Sequence, residues 1–172
     1  MDLLSTTFPG FSEMANIHPL FVHFPVALLN SFFLIELLGV LLKKGEIRIA
    51  ATWMLYLGTL GALGTVLTGL WAASTVPHSD VVHSIIARHR NFGITVLVLG
   101  TVLSIWRIIA HGRFSRKGQV VHIVITFIMV ATLGFGADLG GLMVYKYGVA
   151  VKAVPQPKGH VHGTEHELED NH

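Results

Sequence analysis

Four long apolar stretches, separated by short polar interruptions, dominate the pattern of this chain, at about 19–42, 49–73, 92–110 and 120–144. Crossing about 30 Å of hydrocarbon takes roughly 20 helical residues, so each predicts a membrane-spanning helix. The third helix is expected to begin earlier, near Asp80, ahead of its most apolar part. Gly45 and the segments 77–80 and 112–118 break the pattern as turns. Connections this short make consecutive helices antiparallel neighbours. The expected fold is an all-α integral membrane protein, a four-transmembrane-helix up-down bundle over 18–151 with spans of about 19–42, 49–73, 80–110 and 120–144. An outer segment, 1–17, precedes it, and a polar histidine-rich tail, 152–172, follows.

Composition supports lipid as the solvent. Hydrophobic residues make up 52% of the chain and charged residues 13%, against roughly 25% charged in a soluble domain. Mean hydropathy is +0.62. The formal net charge of +2 gives no case for nucleic acid. The basic residues fall where topology would put them. Lys43, Lys44 and Arg48 are in the first connection, and Arg113, Arg116 and Lys117 are in the third, with Arg107 close by. The segment up to Asn16 has none and carries Asp2 and Glu13. Short loops rich in Lys and Arg stay in the cytoplasm, so both termini are expected on the outer, periplasmic side of a bacterial inner (plasma) membrane. Arg88, Arg90, Lys146 and Lys152 run mildly against this bias. The first seventeen residues lack the basic start and apolar run of a cleavable signal peptide.

The chain has no cysteine, which excludes disulfides, thiolate metal sites and covalent haem attachment. It has 11 histidines. Threading the spans places His18 and His23 at the outer end of helix one, and His83 and His89 at the outer start of helix three. His78 falls in the outer connection, and Asp138 reaches a similar depth on helix four. Ionisable groups at membrane depth are costly and face the bundle interior. A neutral histidine can ligate a metal through one ring nitrogen while the other N–H meets a carboxylate or carbonyl. Two histidines on facing helices therefore fit the axial ligands of a haem b, which needs no cysteine.

Spacing restricts the choice. His18 and His23 diverge by about 140° around the helix and His83 and His89 by about 120°, so one of each pair at most faces the interior. Lying nearer the apolar zone, His23 and His89 are the expected iron ligands. His18 and Asp138 are expected around them, as outer ligand support or a proton route, with His83 a further cofactor-binding candidate and Arg88 and Arg90 as partners for propionates. Gly58, Gly61, Gly64 and Gly69 on helix two, with Gly134, Gly136, Gly140 and Gly141 on helix four, offer either a cofactor slot or close helix packing. At the inner side, Glu36 and His122 reach similar depth and form a possible pair. A second haem through His111 and His122 has less support, because His111 falls in the headgroup region. The tail histidines His160, His162, His166 and His172 lie among acids and suit either a solvated tail or weak transition-ion binding.

The run Ile17-His18-Pro19-Leu20-Phe21-Val22-His23-Phe24-Pro25 resembles the opening signature of the DUF2231 family of predicted bacterial membrane proteins. Glu36, Leu38-Gly39 and His89-Arg90-Asn91-Phe92-Gly93 match its later positions, and Gly140-Gly141-Leu142-Met143-Val144-Tyr145-Lys146-Tyr147-Gly148-Val149 matches its ending. The resemblance implies four helices and, by position, family histidines at His18, His23 and His89. Relatives joined to Rieske iron–sulfur or c-type cytochrome domains imply a place near membrane electron transfer, an inference by association.

Three functions compete. The first is a b-type cytochrome-like subunit exchanging electrons with quinol or a periplasmic redox partner. The second is a histidine-based protein for binding or transporting a transition metal. The third is a non-redox structural subunit whose histidines join helices. Nothing resembles a hydrolase triad or a phosphate-binding loop, and a self-contained enzyme has the least support.

Overall fold

The computed structural model describes residues 6–76 and 79–151. A one-turn helix at Pro9–Ser12 precedes four long ones, α1 (His18–Leu41), α2 (Gly45–Thr75), α3 (Asp80–Ile109) and α4 (Arg116–Tyr145). Each is long and apolar enough to cross a membrane. α2 and α4 begin four residues ahead of the apolar stretches that predict them. Hydropathy marks the length that meets hydrocarbon, whereas the backbone ladder continues into the polar interface.

The helix ends are built locally. Asn16 Oδ1 accepts the His18 N–H at 3.1 Å, and Ser115 Oγ accepts the Gly118 N–H at 3.1 Å. Each satisfies a donor that a first turn leaves open. α1 and α3 close alike, with Lys43 (φ 56°) and His111 (φ 48°) in left-handed conformation. The N–H of the next residue then returns to a carbonyl of the last turn, Lys44 to Gly39 and Gly112 to Arg107, both at 3.0 Å. His111 is therefore a capping residue at the end of the bundle.

α1 packs on α2, α2 on α3 and α3 on α4, while α4 makes a slimmer contact with α1. α1 and α3 stand diagonally. Gly39 lies against Arg48, Gly58 against Leu29, Gly64 against Phe21 and Gly69 against His18, so α1 and α2 run antiparallel in close register. The inward positions advance by threes and fours: Pro25, Leu29, Phe32, Glu36 and Gly39 on α1, and Ala51, Leu55, Gly58 and Ala62 on α2. On α3 they are Val82, Ile85, Val96, Gly100, Leu103 and Arg107, and on α4 His122, Thr126, Met129, Gly136 and Met143. This is the 3.5-residue seam of helices that stay in contact along their length. The core is Leu29, Phe32, Ala51, Leu55, Val96, Leu103 and Met129. Large apolar side chains such as Leu34, Trp53, Leu60, Ile105 and Phe135 face outward, as lipid contact allows.

Candidate functional site

Polar residues occupy the seam at both ends of the bundle. At the end shared by the start of α1 and the end of α2, His18 lies one heptad before Pro25, and His89 on α3 lies one heptad before Val96. Their rings meet across the diagonal, with centroids 6.1 Å apart and planes at 90°. His18 Nδ1 is 3.1 Å from the Thr65 carbonyl oxygen and 3.4 Å from Thr68 Oγ1. His89 Nδ1 is 2.8 Å from the Gly136 carbonyl oxygen. A carbonyl can only accept, so each Nδ1 carries a hydrogen, and in that tautomer it is Nε2 that can offer a lone pair to a ligand.

Two glycines make room for these rings. A Cβ on Gly69 would stand 2.9 Å from His18 Cε1, and one on Gly140 would stand 3.4 Å from His89 Cε1. The other helix-two glycines do not line a slot. Leu29 fills the space at Gly58 (2.7 Å to a Cβ there), Phe24 that at Gly61 (2.8 Å) and Phe21 that at Gly64 (2.7 Å). These are helix-packing glycines, the plainer of the two readings.

The His23–His89 pairing expected from depth is not formed. His23 is exposed, and its Nδ1 lies 2.6 Å from the Pro19 carbonyl oxygen of its own helix. The seam that buries Pro25 and Leu29 passes through position 18, and five residues on the chain has turned about 140° away. The same geometry moves Asp138 off the site. Gly136 and Gly140 face His89, and two residues from either lies about 200° around the helix. Asp138 is exposed, beside Tyr145 and Lys146 in an open hollow. His83 and Arg90 line a shallow hollow with Ser74 between α2 and α3, and Arg88 is exposed. His78 and the tail histidines lie outside the described residues.

The opposite end holds a buried ionic cluster with a contribution from every long helix. Glu36 of α1 is 1% exposed and Arg107 of α3 is 2% exposed. Arg107 Nη2 donates to Glu36 Oε2 at 2.8 Å and to the Arg48 carbonyl at 3.0 Å, while its Nε donates to Thr52 Oγ1 at 2.8 Å. Glu36 Oε1 accepts from Arg48 Nε at 3.2 Å, from Arg48 Nη2 at 3.1 Å and from Gln119 Nε2 at 3.1 Å. His122 of α4 is fully buried, with ring centroids 6.0 Å from Phe32, 5.7 Å from Trp106 and 4.8 Å from Phe114.

The possible pairing of Glu36 with His122 is not made through a hydrogen bond among the described residues, because the two guanidiniums and Gln119 take the carboxylate. His111, in its capping turn, does not join His122. Arg48, Arg107 and Gln119 are not evident as site residues from sequence, since the arginines read as topology charges beside the loops. The signal that finds them is register: Arg107 continues the seam of Gly100 and Leu103.

The model for predicted membrane proteins of the DUF2231 family matches residues 14–153, most of the chain. The chain belongs to the DUF2231 family. Both polar ends of this DUF2231 protein fall inside the matched region. No curated protein and no solved structure shows significant similarity to it.

Proposed function

We propose that this DUF2231 protein is a b-type cytochrome-like membrane subunit holding a haem through His18 and His89. The observation that carries the reading is the anchored imidazole pair, with both Nδ1–H groups tied to backbone carbonyls and Nε2 the lone-pair nitrogen of each ring. The ring centroids, 6.1 Å apart, are near enough that both imidazoles would reach one shared metal. Among the described residues, no third His, Asp or Glu gathers with them. That favours a cofactor bringing its own equatorial ligands over a bare ion, which takes four from the protein in a closed site. The donor set therefore fits a bis-histidine haem b, whose chemistry is one-electron exchange at the iron.

The residues of the chain would bind and orient. Thr65 and Gly136 fix the tautomer and rotation of the two rings, Gly69 and Gly140 admit them, and the lipid-covered bundle keeps water away. With the basic connections in the cytoplasm of a bacterial inner membrane, as the loop charges favour, the pair would lie near the outer face. There it is within reach of quinol and of a periplasmic partner such as a Rieske or c-type cytochrome protein.

The test is a dithionite-reduced minus oxidised spectrum of detergent-purified protein, with a pyridine haemochrome assay. Soret and α bands at near-unit stoichiometry are expected, lost in His18→Ala or His89→Ala and kept in His23→Ala. A colourless protein from haem-replete cells, or haem retained in both variants, sinks the reading. Stoichiometric metal without porphyrin would favour a bare transition-ion site instead.

A further inference from the structure

The hollow between α2 and α3 lies at a definite depth. Trp53 and Trp71 both face outward from α2, 61% and 54% exposed. They stand about 27 Å apart along the helix and on one face of it, close to the thickness of the hydrocarbon core. Tryptophans gather at membrane interfaces, so Trp71 marks the headgroup level at this end of the bundle. Gly93 lies against Val66 and Gly100 against Thr59, and the same antiparallel register brings Arg90 level with Gly69, within a turn of Trp71. The hollow has Leu70 and Ser74 on its α2 side and Arg90 on its α3 side. It therefore sits where lipid headgroups meet acyl chains.

Its charge is one-sided. The Arg90 side chain makes no ion pair and no hydrogen bond among the described residues, and no described Asp or Glu lines the hollow. Arg90 also departs from the bias that gathers basic residues in the first and third connections. His83, Ala87 and Arg90 follow one another by fours and threes, so they look out from one side of α3. The Ser74 hydroxyl is turned back to the Trp71 carbonyl at 2.7 Å, which leaves the donors to α3. Unlike the sealed Glu36 cluster, the hollow has room, with a volume of about 260 Å³ and apolar walls at Leu70, Ile86 and Ala87.

We propose that this hollow binds the phosphodiester of one anionic glycerophospholipid, of the phosphatidylglycerol class. A guanidinium pairs with phosphate through two parallel charge-assisted hydrogen bonds, and basic pockets between membrane helices take anionic headgroups. With no carboxylate in its lining, the hollow offers no partner to the ammonium of a zwitterionic lipid, so a net negative headgroup is preferred. The apolar walls cover the glycerol backbone and the first acyl carbons, a contact that free phosphate cannot use. The site does not rest on the haem reading, since Arg90 lies about 100° around α3 from His89. Nor does it depend on which face of the membrane this end occupies.

The experiment is native mass spectrometry of the delipidated full chain in detergent, titrated with dioleoyl-phosphatidylglycerol, dioleoyl-phosphatidylcholine or glycerol 1-phosphate. One phosphatidylglycerol should bind at least tenfold more tightly than phosphatidylcholine, and glycerol phosphate should not compete. Equal affinity for the two lipids overturns the proposal. Competition by glycerol phosphate at the lipid's own concentration would mean a free-phosphate site and overturns it too. Arg90→Gln should weaken phosphatidylglycerol at least tenfold, whereas Arg88→Gln, about 200° away around α3, should not. Unchanged binding in Arg90→Gln, or equal loss in both variants, removes the hollow as the site. Ala87→Phe tests the room without altering charge: the bound lipid should be lost while the melting midpoint holds, and lipid retained at full affinity overturns the assignment.

Discussion

At Gly69 a single methyl group decides whether His18 can keep its place. A Cβ there would stand 2.9 Å from the ring, too close for the imidazole to remain against α2. Gly69→Ala also replaces the poorer helix former with the better one, so the helix should persist while the ring is displaced. The expected result is at least a tenfold loss of haem affinity, about 1.4 kcal/mol, with little change in the melting midpoint. Haem-to-protein ratio and thermal unfolding on the same sample check it, and unchanged occupancy would remove His18 as the ligand. At this scale the sequence was only partly legible. Helical angle alone shows that His18 and His23 cannot both face inward. Which one does follows from the seam through Leu29, Phe32 and Glu36, and depth is a poorer guide because both residues sit near one interface.

Between elements, α1 and α2 are held by shape more than by hydrophobicity, since lipid competes equally well for apolar side chains. Gly58→Leu puts a side chain where Leu29 already lies, 2.7 Å from the new Cβ. Overpacking of this kind costs about 1–3 kcal/mol, and thermal unfolding in detergent should show it. Gly134→Leu is the control, as its Cβ meets nothing within 4 Å; equal loss in both would mean that helix propensity, not packing, is measured. The helices themselves are legible from their apolar length. Their inward faces are much harder to read, because apolar residues cover the lipid-facing side as densely as the core.

For the whole molecule, the Glu36 cluster ties all four long helices together at one end. Removing one member of a buried ion pair typically costs about 3–5 kcal/mol, so Glu36→Gln should lower stability on that scale. Exposed Glu46→Gln should leave it nearly unchanged, and comparable losses would deny Glu36 its central role. Orientation is testable directly, because the chain has no cysteine to remove. Ser12→Cys should react with an impermeant maleimide from the periplasm, and Lys43→Cys only once the inner face is opened; the reverse pattern inverts the topology. The sequence by itself determined that four helices form and that lipid surrounds them, because hydropathy and turn residues act locally. The bias of basic loops set the expected orientation in the same way. Only the tertiary structure decided that His18 rather than His23 meets His89, that the helix-two glycines receive side chains, and that Arg48 and Arg107 turn inward to Glu36. Those outcomes depend on how each helix is rotated about its own axis. In a bundle apolar on every side, mutual packing sets that rotation.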